Sequence, residues 1–195
     1  MKKMLKFSVL SLLLISLSCA QHEDALWEIS PESGVPVIEQ TVDDIQFKFC
    51  LLNEFGEPST VFNEGANFSI YFAVTNNWKE EIYIYPGYAF SDEFCEVYRS
   101  DDLQNLGKPF ALKGVGIGGF PFAVGESYIF EQPWLDERET TWNWEHGLFE
   151  STHQVPLPKG NYYTEVKHQF EYALPNVEGK RYTDTLFFKI NFKIL

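Results

Sequence analysis

The chain has 195 residues, with 28 Asp and Glu against 15 Lys and Arg, and a formal net charge of −13 at neutral pH. This acidity argues against a nucleic-acid partner, whose phosphates are neutralised by Lys and Arg, and against laying the domain on anionic lipid. Aromatic residues make up 17% of the chain and favour strands over helices.

The N-terminal segment has the pattern of an export signal that ends at a cysteine. Three lysines precede an apolar core, residues 7–17, that is too short to span a membrane as a helix. The sequence SLSC, residues 16–19, resembles a lipobox, the motif after which bacterial lipoproteins are cleaved and lipidated on the cysteine. Relaxed lipoboxes of this kind occur in Bacteroidetes.

This resemblance implies a signal peptide over residues 1–18 and a lipid anchor on Cys19. The acidic stretch at residues 22–24 resembles the signal that sends Bacteroidetes lipoproteins to the outer face of the outer membrane. Cleavage would leave twelve Lys and Arg against 28 Asp and Glu, a formal charge of −16. The alternative is an ordinary signal peptide followed by an incidental cysteine and an acidic spacer.

The rest of the chain divides into a linker and one domain. Residues 20–43 contain two prolines, a glycine and several acids with no sustained period, so we expect 19–43 to be the lipidated cysteine and a flexible acidic tether. Over 44–195 apolar alternation predicts strands near 45–51, 68–74, 82–85, 94–99, 128–134, 162–172 and 186–194. Seven or eight strands with frequent turns predict an all-β antiparallel sandwich.

Two stretches resemble the immunoglobulin-like domains of bacterial envelope proteins. Residues 67–84, NFSIYFAVTNNWKEEIYI, have the pattern of a strand, an Asn-rich turn and a return strand. In residues 157–170, LPKGNYYTEVKHQF, Tyr162 is expected to place its hydroxyl on nearby backbone, as a tyrosine corner does. Their order resembles the domain named for a Bacillus intracellular proteinase inhibitor. The resemblance implies an immunoglobulin-like fold, and no inhibitory-loop residue matches.

The long polar segment 135–154 is the candidate contact surface. Trp142 and Trp144 have strand-like spacing, and exposed tryptophans offer flat surfaces to sugars or proteins, with Trp134 as a neighbour. The alternative is that both indoles cap an open end of the sandwich, because tryptophan is usually well buried. The acids and histidines of this segment lack the order of a calcium-binding loop, so we expect no metal or cofactor.

Other candidate residues concern covalent chemistry. Cys50 and Cys95 remain after lipidation, and an oxidising envelope permits a disulfide between them. Cys50 lies on the polar phase of its strand, which favours two free thiols. Thr185, in the sequence Asp-Thr-Leu, resembles the site at which Bacteroidetes O-glycosylate exported proteins. His168 alternates with core positions and is expected to be structural.

These observations predict a non-catalytic, lipid-anchored module of the cell envelope that contacts a protein or a glycan. No Ser/His/Asp or Cys/His set in the sequence indicates a catalysed reaction. Three alternatives stay open at this point. The first is a proteinase-inhibitor-like module that blocks a protease, the second is a hydrolase, which would need a pair of acidic residues, and the third is a purely structural envelope protein.

Overall fold

The computed structural model describes residues 25–91, 93–109, 118–135, 142–143, 148–149 and 154–195. Within these ranges the chain is all-β, with sixteen strands and one short 3-10 helix, Pro86–Phe90. The strands are β1 Ala25–Ile29, β2 Val37–Val42, β3 Ile45–Leu52, β4 Val61–Phe62, β5 Ser69–Asn76, β6 Ile82–Ile84, β7 Phe94–Arg99, β8 Asn105–Gly107, β9 Phe120–Phe122, β10 Ser127–Pro133, β11 Trp142–Asn143, β12 Leu148–Phe149, β13 Gly160–His168, β14 Glu171–Ala173, β15 Arg181–Tyr182 and β16 Leu186–Ile194.

The two largest sheets pack through aromatic side chains. Sheet A has the order β1-β16-β13-β7-β8, with β4 also paired to β16, and sheet B has the order β10-β5-β3-β2. The ring of Phe188 from sheet A lies 5.7 Å from Phe47 and 5.9 Å from Phe72, both of sheet B. Alternate residues of the long strands are buried, as the apolar alternation predicts. The arrangement is consistent with a β-sandwich.

The ordered domain begins earlier than the sequence predicts. Strand β1 pairs with β16 and β2 pairs with β3, so two strands lie in the segment expected to be a tether. The Trp27 ring stacks on the Phe188 ring with 5.0 Å between ring centres, so β1 also packs on sheet A through an apolar contact. The boundary at residue 44 is therefore corrected to Ala25, the first residue of β1. Strands β1 and β4 also run parallel to β16, in contrast to the expected antiparallel pairing.

The strand predicted over 162–172 is divided between two sheets. Strand β13 ends at His168 in sheet A, and β14 begins at Glu171 in a third sheet with the order β15-β14-β6-β9, called sheet C here. The buried Thr183 stabilises the segment where the chain passes from sheet A to sheet C, because its Oγ1 accepts a hydrogen bond from the Phe170 backbone N–H at 3.0 Å. Four short strands, two or three residues each, thus form a separate small sheet beside the core.

The predicted tyrosine corner is present at the start of β13. The Tyr162 hydroxyl donates a hydrogen bond to the Pro158 carbonyl at 2.7 Å, and its ring is buried against Phe192. This geometry satisfies a polar group inside the core, where an unpaired hydroxyl would be costly.

The strand registers define two ends of the molecule. At the end that we call the N-terminal end, Ala25 and His168 both lie opposite Leu186. At the far end, Gly160 and Phe62 both lie opposite Ile194. Among the residues that the structure describes, no helix has the length and apolar character to cross a membrane.

Candidate functional site

Sheet C builds a row of three side chains across neighbouring strands. Glu171 of β14 lies directly opposite Tyr182 of β15. On its other side, the Tyr85 backbone N–H donates to the Glu171 carbonyl, which continues the β14–β6 register. Because directly opposite residues point to the same face of a sheet, two tyrosines flank one carboxylate on a single face. Two strand spacings place the tyrosine backbones roughly 10 Å apart.

This row forms one wall of an open cleft of about 560 Å³ at the N-terminal end. Further lining comes from the ends of sheet A, where Lys167 and His168 close β13 and Thr185 precedes β16. Tyr88, otherwise buried in the core, also lines the cleft. The other lining residues are Gly87, Glu93, Gln169 and Lys180. Aromatic rings and directional polar groups therefore converge on one concavity, as in small-molecule sites.

The charged groups of the cleft balance one another. Lys180 forms an ion pair with Glu171, and its Nζ lies 4.2 Å from the centre of the Tyr85 ring. The hydrogen bond that the Lys180 ammonium donates to the Glu171 carboxylate raises the pKa of Lys180, so the ammonium is charged at neutral pH. Lys167 and Glu93 add one charge of each sign. Burial lowers the pKa of His168 from its ordinary value of 6.5, so this imidazole is neutral at pH 7.

A glycine fixes where the Tyr85 ring can lie. A Cβ built on Gly119 would stand 2.6 Å from the Cε1 and Cζ atoms of Tyr85, closer than real carbon atoms approach. Gly119 precedes β9, which pairs with β6 next to Tyr85. The missing side chain therefore creates the space that the tyrosine occupies.

A second groove, of about 690 Å³, lies between β1 and β2. Its lining includes the exposed Leu26 and Val35, and its two carboxylates, Glu28 and Glu39, form ion pairs with lysines. Fewer polar side chains line this groove than line the sheet C cleft, so the cleft is the better candidate.

The structure corrects the expectation that Trp134 contributes to an exposed contact surface. Its side chain is only 2% exposed and stacks on Phe68 with 5.9 Å between ring centres. The indole Nε1–H donates to the Val155 carbonyl at 3.0 Å. Trp134 therefore belongs to the core, where the ring is packed and its polar atom is satisfied.

Other expected functional positions fall where the structure gives no side-chain description. The backbone of Trp142 pairs with Phe149 in the β11–β12 ladder. Trp144 and the anchor residue Cys19 lie outside the described residues. The contact surface proposed for the two tryptophans and the lipidation of Cys19 therefore stay predictions.

The two cysteines of the domain are free and buried thiols, so the disulfide that the sequence left open is not formed. Burial raises the pKa of the Cys50 thiol to about 11 and that of Cys95 well above its ordinary value. Both thiols stay protonated and unreactive at neutral pH, since the thiolate is the nucleophile.

Thr185, the residue in the O-glycosylation-like sequence, lies half-buried in the cleft wall just before the buried Leu186. A sugar attached there would occupy part of the cleft. Across the described ranges, no three His, Cys, Asp or Glu side chains are grouped as a metal site requires. The acids and histidines of residues 136–153 lie outside those ranges.

Comparisons with known proteins leave the function to be argued from this geometry. No known protein-family model matches the chain, and no curated protein shows significant sequence similarity to it.

The sequence prediction missed the row of Tyr85, Glu171 and Tyr182. A usable signal was present, because Pro175 and Gly179 lie between two short apolar and aromatic stretches, a pattern typical of a hairpin. The alternation through residue 172 suggested one continuous strand instead, which hid the change of sheet at Gln169.

Proposed function

We propose that the chain is a lipid-anchored, non-catalytic binding module of the cell envelope, with an immunoglobulin-like domain that contacts a protein or a glycan. The lipobox-like sequence ending at Cys19 and the acidic stretch after it support an outer-membrane, surface-exposed location. The packed aromatic sheets and the tyrosine corner at Tyr162 support the immunoglobulin-like fold.

The observation that carries a binding role is the cleft at the N-terminal end. Folds of this class host many functions, so the function depends on the site and not on the fold. Tyr182 keeps 56% of its surface exposed in the cleft, where a structural tyrosine would be covered. Tyr85 lies on the other side of Glu171, where the backbone hydrogen bond to Glu171 and the space left by Gly119 fix its position. An exposed aromatic side chain on a preformed wall is well suited to contact a partner.

Lipid anchoring is tested by metabolic labelling with a radioactive fatty acid, comparing the wild-type chain with Cys19→Ala. We expect label and membrane association in the wild type and loss of both in the variant. Several acyl chains on one cysteine hold a protein firmly to a bilayer, whereas a single chain is marginal. Equal membrane association of the two chains would contradict the anchor.

Binding is tested with residues 20–195, which include every described residue. This fragment is applied to arrays of envelope glycans and peptides, and any bound ligand is analysed by mass spectrometry after incubation. We expect saturable binding and an unchanged ligand mass. A cleaved ligand would contradict the non-catalytic assignment, and the absence of binding to both arrays would favour a purely structural envelope protein.

A further inference from the structure

The topology fixes where the cleft lies relative to the proposed anchor. Strand β1 begins at Ala25, opposite Leu186, and Leu186 immediately follows the cleft residue Thr185. Cys19 precedes Ala25 by six residues, which span at most about 20 Å when fully extended. The anchor therefore reaches the domain at the end that holds the cleft.

The opposite end is separated from the anchor by the length of the long strands. Strand β16 covers nine residues from Leu186 to Ile194, a distance of roughly 26 Å at about 3.3 Å per residue. The far end presents Phe55, which is 84% exposed and shares a small surface pocket with Phe62. A short tether thus favours an orientation with the cleft toward the membrane and Phe55 away from it.

The chemistry of the cleft limits what it can bind. The described lining has two lysines and two glutamates, so its formal charge is zero although the whole chain carries −13. A strongly charged ligand would find no excess of opposite charge in the cleft, and its desolvation on binding would be unfavourable. The cleft therefore suits a ligand that is polar and uncharged.

The remaining contacts match a sugar. A sugar ring combines apolar C–H faces with a rim of hydroxyl groups that both donate and accept hydrogen bonds. Tyr182 supplies exposed aromatic surface, while Tyr85, Glu171, Gln169 and Thr185 supply acceptors and donors. The tyrosines lie two strands apart, so a ligand of more than one ring could contact both.

We infer that the cleft faces the membrane to which the chain is anchored and binds the uncharged sugar headgroup of a glycolipid in that membrane. This inference rests on the lipid anchor and binding role of the proposed function. It assigns a ligand class and a direction to the cleft, which the proposed function leaves open.

The orientation is tested with the lipidated chain reconstituted in vesicles that carry a headgroup-linked energy acceptor. A donor fluorophore is attached in Tyr182→Cys or, as the matched control, in Phe55→Cys. Both positions are exposed, and the native Cys50 and Cys95 are buried. We expect efficient energy transfer to the membrane acceptor from the donor at position 182, and clearly weaker transfer from the donor at position 55. Equal transfer, or greater transfer from position 55, would overturn the inference.

The ligand class is tested by sedimentation of residues 20–195 with phosphatidylcholine vesicles. The vesicles are used alone, with phosphatidylglycerol, or with monogalactosyl-, digalactosyl- or glucosyldiacylglycerol. We expect co-sedimentation with at least one glycolipid and none with the two sugar-free compositions. Binding only to phosphatidylglycerol vesicles, or to none of the glycolipid vesicles, would overturn the sugar assignment. A soluble saccharide that binds the protein without competing with the vesicles would also overturn it.

These outcomes separate the inference from the proposed function. Failure of the full chain to associate with any vesicle would refute the lipid anchor itself. A chain that is anchored but holds position 55 nearer the membrane would refute only the orientation. A peptide that binds at Tyr182 while every glycolipid fails would keep the binding role and refute the sugar.

Discussion

The two ends of the domain differ in how their aromatic side chains are packed, although both ends are rich in aromatic residues. At the far end Trp134, Phe68, Phe62 and Phe192 contact one another and seal the space between the sheets. At the N-terminal end Tyr85 and Tyr182 stand on one wall of an open cleft, beside paired charges.

The contrast shows that aromatic composition alone does not locate a binding surface. What distinguishes the ends is how the polar atoms are used. The Trp134 indole N–H is satisfied by the Val155 carbonyl inside the core. The Lys180 ammonium and Glu171 carboxylate instead lie at the cleft with Tyr182, where a ligand could meet them.

The largest expected effect is loss of stability from Trp134→Ala. Removing a fully packed indole leaves a cavity, so we expect the free energy of unfolding to fall by about 3–5 kcal/mol. Urea denaturation of residues 20–195 measures it. Tyr182→Ala is the matched control at the other end and should change stability by no more than about 0.5 kcal/mol. Similar losses in the two variants would remove the contrast between a sealed and an open end.

A smaller effect is expected from Gly119→Ala at the cleft wall. The added methyl group would lie 2.6 Å from the Tyr85 ring, so the ring must move at a cost of about 1–3 kcal/mol. Gly118→Ala is a close control, because a Cβ there meets nothing within 4 Å. The same denaturation experiment compares them. If both variants behaved alike, the close packing of Tyr85 on Gly119 would be disproved.

The smallest effect is a pH dependence that originates at His168. Burial lowers its pKa in the folded state, so the unfolded chain takes up the proton more readily as the pH falls. The stability that the folded chain gains from keeping His168 neutral is complete above the pKa of an unfolded histidine, about 6.5. This contribution is lost as the pH falls below that value. The nearby Glu93 and Glu171 oppose the shift and keep the effect small.

Urea denaturation at about pH 7.5 and about pH 5.5 checks this dependence, which the ordinary histidine pKa places between those values. We expect the stability of the wild type to fall more between the two conditions than that of His168→Gln. An identical fall in both proteins would show that His168 does not contribute to the pH dependence.

The sequence predicts the central strands well because one face of each is buried. The alternation in residues 45–51 and 186–194 corresponds directly to β3 and β16. The early strand β1 was missed because its neighbours Pro31 and Gly34 have linker chemistry, while its pairing with β16 is a contact distant in sequence. The tyrosine corner was predictable because its partner, Pro158, is only four residues away.

The cleft could not be predicted in the same way. Its wall joins Tyr85 to Glu171 and Tyr182, and only the pairing of three short strands brings these residues together. The two-residue strand β15 carries too little alternation to be recognised from sequence, whereas β6 falls within the strand predicted near 82–85. Trp134 was misassigned for a related reason, since its exposure depends on Phe68 and Val155 in distant parts of the chain.

The most direct test of the account compares vesicle binding by Tyr182→Ala and Phe55→Ala. Both side chains are exposed, one in the cleft and one at the far end, so neither substitution should disturb the fold. With the glycolipid vesicles that bind the wild type, we predict at least about a tenfold loss of affinity for Tyr182→Ala, equivalent to about 1.4 kcal/mol, and wild-type affinity for Phe55→Ala. Loss of binding in Phe55→Ala with retention in Tyr182→Ala would contradict the account.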